Sequence, residues 1–382
     1  MTDLARTLEI LERLTGFDTV SRNSNLELAA YAEAFLADRG FAVTRLPSPD
    51  GSKTGLYAEK GPAGPGVLLS AHTDVVPVDG QEWTRDPFRL TREGERVYGR
   101  GTTDMKGYVA SVLALAGRAA GVDLKEPLKI VLSYDEEIGC VGIQEMLERL
   151  APLIGSPRAC FVGEPTEMEV AIGHKGKAAL RAVCFGQSGH SALAPDFTNA
   201  LHLAGDFLSE LRRLQEDFAA NGARDDAYDV PYSTVHVGKL SGGTALNIVP
   251  DRAEMTFEYR HLAADRGEDI LARIQAAADR VSNRYPAEAR IEVEQYNAYP
   301  GLDVPPDSAV VPFARALARS TGTAKVAFGT EAGFFHQLGI PTVVCGPGSM
   351  AGQGHKPDEY LELRQLSQCD AMMDRLLDDL TA

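Results

Sequence analysis

The sequence is short of cysteine, of basic residues and of long apolar runs. Its five cysteines (Cys140, Cys160, Cys184, Cys345 and Cys369) are odd in number and scattered, with no Cys-X-X-Cys pair. That spacing argues against a secreted disulfide framework. No stretch approaches the ~18 apolar residues of a membrane span. The first ten residues, MTDLARTLEI, carry an acid at Asp3 and no apolar run. No signal peptide is expected there, and a cytoplasmic location follows. Lys and Arg number 38 against 54 Asp and Glu, a net charge of −16. This balance argues against nucleic acid or an anionic membrane surface as a partner. It is compatible with a metal or a cationic small molecule, and equally with plain surface solubility. No repeat of fixed period is visible.

What is present is ordinary for a folded chain: 44% hydrophobic and 24% charged residues. At 382 residues the chain exceeds the roughly 250–300 at which a single core stops growing, so two domains are expected. Leu4, Leu8 and Leu11 recur at i, i+4, i+7, and a second helical pattern runs from Leu26 to Leu36 with Gly40 as its stop. Short β-like runs follow at 41–46, 54–58, 67–70, 128–133 and 159–162, with helical patterns at about 105–120 and 140–151. Strands alternating with helices predict an α/β domain whose mixed, mostly parallel sheet lies between helices. From Lys177 the order becomes βαββαβ, a ferredoxin-like α+β unit. The tail returns to α/β grammar, with a strand at 341–345 and a last helix near 364–380. The expected organisation is a catalytic domain over 1–176 and 291–382, interrupted by an inserted domain over 177–290.

Metal-competent side chains close several of the β-like runs. His72 and Asp74 follow the run Val67–Leu69. Ligands of open α/β sheets collect at strand carboxyl ends. Residues at i and i+2 on a strand share a face, so Asp74 is placed to orient the His72 ring. In isolation the pair also reads as a polar loop. Gly99-Arg-Gly-Thr-Thr-Asp104 imitates a dinucleotide-binding turn, but Asp104 replaces the last glycine and would repel a pyrophosphate. Asp135-Glu136-Glu137 closes the run at 128–133, and three adjacent acids there demand something positive nearby. Glu164 follows the run at 159–162, and His355 lies beyond the strand at 341–345. Two histidines and three acids are a donor set for Zn²⁺, Co²⁺ or Mn²⁺, and two ions sharing a carboxylate are a recurrent hydrolase device.

These segments resemble the M20 metallopeptidases, the dinuclear zinc amidohydrolases. His72-Thr-Asp74-Val-Val-Pro77, Gly99 to Gly107, Asp135-Glu136-Glu137, Gly163-Glu164-Pro165, Gly189-His190-Ser191 and Asn247-Ile-Val-Pro250 occur in family order across essentially the whole chain. The resemblance implies two divalent ions, Zn²⁺ first and Co²⁺ or Mn²⁺ as alternatives. Asp104 is then the bridge, Glu137 and His355 serve one ion, and His72 and Glu164 serve the other. Asp74 orients His72, and Glu136 is the general base toward a metal-activated water. A cis peptide is implied at Asp104–Met105. The inserted domain is implied to be the lid and dimerisation module of a homodimer, with His190 reaching the partner's site. Arg260 and Asn247 are implied to bind the substrate carboxylate, and Gly329, Thr330 and Ser349 to line the pocket. Glu331 is a further candidate, for a distal ammonium or as a loop buttress.

Glu at 164 is similar to the family's deacylases, and Thr330-Glu331-Ala-Gly333 with Gly346 through Tyr360 resembles the acetylornithine deacetylase branch. Lys356 departs from that pattern, where Gln is expected. The expected substrate is therefore a small N-acyl amino acid, N²-acetyl-L-ornithine first. A desuccinylase, a deacylase of another N-acyl amino acid, a dipeptidase, or a binding protein on a decayed peptidase fold are the alternatives.

Overall fold

The computed structural model describes residues 3–382. The chain forms two compact units. One comprises the chain up to Gly173 with Leu302–Val326 and Thr330–Ala382; the other comprises His174–Gly301 with Ala327–Gly329.

The first unit is built on a nine-stranded sheet. Its four central strands are Leu128–Ser133, Val67–His72, Ala159–Val162 and Thr342–Val344, in that order, and all pair in parallel. Every residue of these four strands is buried. This is why they read as continuous apolar runs rather than alternating ones: helices cover both faces of a parallel sheet. On one side Thr54–Lys60 and Ala42–Pro47 add antiparallel strands. On the other, Val170–His174 runs antiparallel to Thr342–Val344. The helix Gly107–Ala119 is almost wholly buried, and Tyr108 donates to the carbonyl of Phe161 on the sheet (3.4 Å).

The first helix is Asp3–Thr15, but its buried stripe is Thr7, Ile10, Leu11 and Leu14. Leu4 and Leu8 of the expected stripe are only half-buried. Thr7 lies on this stripe, and its hydroxyl donates to the buried Asp370 carboxylate of the last helix (2.9 Å). A small three-stranded sheet of Thr91–Glu93, Arg96–Tyr98 and Tyr360–Glu362 was not expected.

The second unit is a four-stranded antiparallel sheet in the order Thr234–Gly242, Arg252–His261, Gly176–Phe185, Arg290–Tyr299. The helices Ala200–Asn221 and Gly267–Ser282 pack on it through Phe207, Leu211 and Ile274 against Leu180, Met255 and Phe257. Element order and strand order are those of a ferredoxin-like fold. The boundary expected at 290 falls on the first residue of the strand Arg290–Tyr299. That strand pairs along Gly176–Phe185 and carries the unit on to Gly301. Among the described residues, no helix is long and apolar enough to cross a membrane. All five cysteines are buried and free, as small apolar residues.

Candidate metal centre and catalytic site

The first unit gathers its chemistry at the carboxyl ends of the parallel strands. Val67–His72 ends on His72, Leu128–Ser133 leads into Asp135-Glu136-Glu137, and Ala159–Val162 leads into Glu164. His355 arrives from the loop after Thr342–Val344 in a left-handed backbone conformation (φ 60°). Asp104 comes from the kinked segment Thr102–Lys106, ahead of the helix Gly107–Ala119, and the Asp104–Met105 bond is cis.

The two oxygens of Asp104 face different partners. Oδ1 lies 3.1 Å from His72 Nε2, and that nitrogen is 3.7 Å from Glu164 Oε1. Oδ2 lies 3.1 Å from His355 Nε2, which is 2.9 Å from Glu137 Oε2. One carboxylate thus sits between two histidine–glutamate pairs. His72 Nδ1 lies 2.9 Å from the carbonyl oxygen of Asp74. A carbonyl can only accept, so Nδ1 carries a proton, and Nε2 is the ring nitrogen turned toward Asp104 and Glu164. The Asp74 carboxylate is slightly farther from the ring, at 3.4 Å. It accepts instead the backbone N–H groups of Glu136 and Glu137 and the Ser21 hydroxyl (3.1, 3.3 and 2.7 Å).

The charge balance of these side chains is acidic and strained by burial. Burial, with repulsion from Glu137, Asp104 and Glu331, holds the Glu136 carboxyl well above the usual range. Burial does the same to Glu164 and pushes Glu137 up to about 7. Burial alone would raise Asp104 too, but hydrogen bonds from His355 and His72 outweigh it and keep it ionised. Those to Asp104 and Glu137 push His355 up to about 10. Glu137 Oε1 and Glu164 Oε1 are buried with no hydrogen-bond partner. Buried, unpartnered carboxylate oxygens opposite imidazole nitrogens call for cations. His72, Asp104 and Glu137 form one group whose ligand atoms lie within 4.8 Å of one another, and His72, Glu136 and Glu164 form another. The residues present therefore fit divalent ions. Asp135, the third adjacent acid, turns away (φ 55°) and pairs with Lys53.

The remaining candidates are distributed as follows. Glu331 is buried in the first unit, one oxygen has no partner, and burial pushes its carboxyl up to about 7. Thr330 is buried, and its hydroxyl accepts the Ala332 N–H (3.0 Å). The Ser349 hydroxyl is taken by Glu167 (2.8 Å). His190, Asn247, Arg260 and Gly329 belong to the second unit. There His190 is exposed and its Nδ1 accepts the Ala192 N–H (3.1 Å), which leaves the ring proton on Nε2. Arg260 donates to Glu258 (2.9 Å) on the face of its strand opposite the buried Met255, Phe257 and Tyr259. A Cβ at Gly329 would meet the Tyr299 ring at 2.2 Å.

Glu359 was not singled out from the sequence. It is buried and accepts hydrogen bonds from Arg100, Gly101, Thr103 and Asp104. It lies inside the segment Gly346 to Tyr360 and four residues after His355, and neither fact by itself points to a role.

Residues 68–379 match the family described as Peptidase family M20/M25/M40. The chain belongs to this family. It is a hydrolase of the M20 group, and its mixed α/β fold is the one expected for that group. It is 35% identical over 342 residues to an acetylornithine deacetylase of Salmonella arizonae, covering 89% of this chain and 87% of that one. Among solved structures it is similar to a Staphylococcus aureus tripeptidase (TM-score 0.78, 19% identity, 99% and 98% of the two chains). It is also similar to a Bacillus subtilis protein described as a dinuclear metal-binding peptidase of the M20 family (TM-score 0.67, 19% identity, 100% and 99%). At those identities the two structures speak for the fold alone.

Proposed function

We propose that the protein hydrolyses the amide bond of a small N-acyl amino acid, N²-acetyl-L-ornithine, to acetate and ornithine. The observation that carries this reading is the 35% identity, over nearly the whole chain, to an acetylornithine deacetylase, combined with the acids and histidines gathered around Asp104. In this reading His72 and Glu164 hold one divalent ion, Glu137 and His355 a second, and Asp104 both; imidazole with carboxylate suits Zn²⁺, with Co²⁺ or Mn²⁺ as substitutes. When bound, such ions lower the pKa of water and offset the charge developing on the amide carbonyl oxygen.

Glu136 takes the proton of the attacking water and returns it to the departing amine. Burial and the neighbouring acids raise its pKa, the direction that favours handing the proton on after it is taken. Asp74 keeps the Glu136 turn and the His72 tautomer in place. Arg260, with Asn247, binds the substrate carboxylate through its planar fork. Glu331 faces the distal ammonium, where burial and an unpartnered oxygen favour a cationic group. His190 offers its Nε2 proton to the oxyanion of a partner subunit's site. Exposed Leu193, Leu246 and Ile248 beside it supply an apolar surface for a homodimer.

The deciding experiment is a panel of purified substrates on the metal-loaded protein. N²-acetyl-L-ornithine should exceed N-acetylmethionine, N-succinyl-diaminopimelate and dipeptides in kcat/KM by tenfold or more. A preference for the succinyl compound or for a dipeptide would overturn the reading.

A further inference from the structure

The buried Glu359 accounts for an otherwise unexplained convergence of donors. It is 1% exposed, and the Arg100 guanidinium beside it is fully buried. Oε2 accepts from Arg100 Nη1 (2.7 Å) and the Gly101 N–H (3.1 Å); Oε1 accepts from the Thr103 and Asp104 N–H groups (2.8 and 3.1 Å). The backbone N–H groups of Gly101, Thr103 and Asp104, curled round one anion, form a nest, here filled by the chain's own carboxylate. The backbone closes the arrangement, since the Gly99 N–H donates to the Glu359 carbonyl (3.0 Å) and the Thr103 hydroxyl to the Tyr360 carbonyl (2.6 Å). Gly101 takes a left-handed conformation (φ 84°), and a Cβ there would meet Val75 at 2.7 Å.

Two consequences follow from the connectivity. One of the four donors is the amide of Asp104 itself, so Glu359 fixes the backbone of the residue placed between the two histidines. The side chain that does so stands four residues after His355. One carboxylate therefore ties the loop bearing Asp104 to the segment bearing His355, two stretches of chain about 250 residues apart in sequence. His72, by contrast, is held by its own strand and by Asp74.

We propose that Glu359 is a positioning residue for the metal centre, setting the separation of Asp104 and His355 and thereby the affinity of the ion on the His355 side. The proposal rests on the metal reading of the site. Outer partners of this kind typically contribute 10–100-fold in affinity.

The test uses Zn²⁺ alone, titrated into the metal-free full-length protein against a chromophoric chelator. Glu359→Gln preserves shape but turns an amide donor toward two N–H donors. It should weaken one of two Zn²⁺ sites by at least tenfold and the other by less than threefold. In a His355→Ala background the same substitution should cost much less, because the ligand it positions is gone. Equal losses at both sites, or an equal loss in both backgrounds, would show general loosening and overturn the proposal. So would affinities within twofold of the unsubstituted protein. If Glu359→Gln does not fold, Glu359→Asp keeps the charge on a shorter arm and should lose threefold to tenfold; unchanged affinity there overturns the proposal as well. An unsubstituted protein that binds no Zn²⁺ would instead sink the metal reading itself.

Discussion

Asp74 accepts the backbone N–H of Glu136 on one carboxylate oxygen, at 3.1 Å. The other oxygen takes the Glu137 N–H and the Ser21 hydroxyl. The residue that fixes the His72 ring through its carbonyl thus also fixes, through its carboxylate, the turn presenting both glutamates. Asn at 74 keeps one acceptor and replaces the other with a donor. Asp74→Asn should therefore lower kcat and Zn²⁺ affinity together, each by about 10–100-fold, in steady-state and chelator-competition measurements. A loss confined to either quantity would argue against the shared role.

Glu136 lies close enough to His72 and Glu164 to be a ligand, and its proposed role as a base is separable from that. Glu136→Gln should retain two equivalents of metal by elemental analysis while kcat falls by about 10²–10⁴. Loss of one equivalent would make Glu136 a ligand instead.

If His190 acts in a partner's site, two inactive chains should complement each other. Protein carrying His190→Ala mixed with protein carrying Glu136→Ala, unfolded and refolded together, should recover up to about a quarter of normal activity, the share expected for one intact site in randomly assembled dimers. No recovery in a mixture proven to contain heterodimers would place His190 in its own subunit's site or in none.

Gly163 stands one residue before Glu164, and its α-carbon faces the Tyr108 ring. An added Cβ would sit 2.0 Å from that buried ring. Overpacking of this kind costs about 1–3 kcal/mol. Gly163→Ala should lower the thermal midpoint by several degrees and weaken Zn²⁺ binding through Glu164. An unchanged midpoint would mean that Tyr108 yields freely.

Asp370 supplies a pH dependence remote from the site. Burial pushes its carboxyl up to about 6 from an ordinary 3.8, although Thr7 donates to it. A raised folded pKa means that the stabilising contribution is complete below about pH 3.8 and is lost as pH rises through about 6. Two units correspond to roughly 3 kcal/mol at most. Asp370→Asn should change stability little at pH 4.5 and raise it at pH 7.5, read from denaturant midpoints at both values. The same shift at both would exclude the buried charge as its cause.

The strands that carry the site were legible because they are buried on both faces and so leave unbroken apolar runs, as at Leu128–Ser133. The strand Val170–His174 was not, since it is short and follows a turn with left-handed Glu167 and Met168. The sheet joining Arg96–Tyr98 to Tyr360–Glu362 has three-residue strands rich in charge, with partners more than 250 residues apart. Family order pointed to the residues proposed as ligands. Asp74's hold on the Glu136 turn and Glu359's nest are side-chain to backbone contacts between distant segments, and no local pattern encodes them.

The strand Thr342–Val344 sits inside the central sheet, between Ala159–Val162 and Val170–His174, yet it is nearly the last strand to be made. A nascent chain ending near residue 330 already contains every strand and helix of the ferredoxin-like unit in one contiguous block. Over the same length the larger sheet has a gap at its middle, and His72, Asp104, Glu137 and Glu164 have no His355. During synthesis the inserted unit can complete itself first, while the acids of the metal centre must wait for the final segment of the chain.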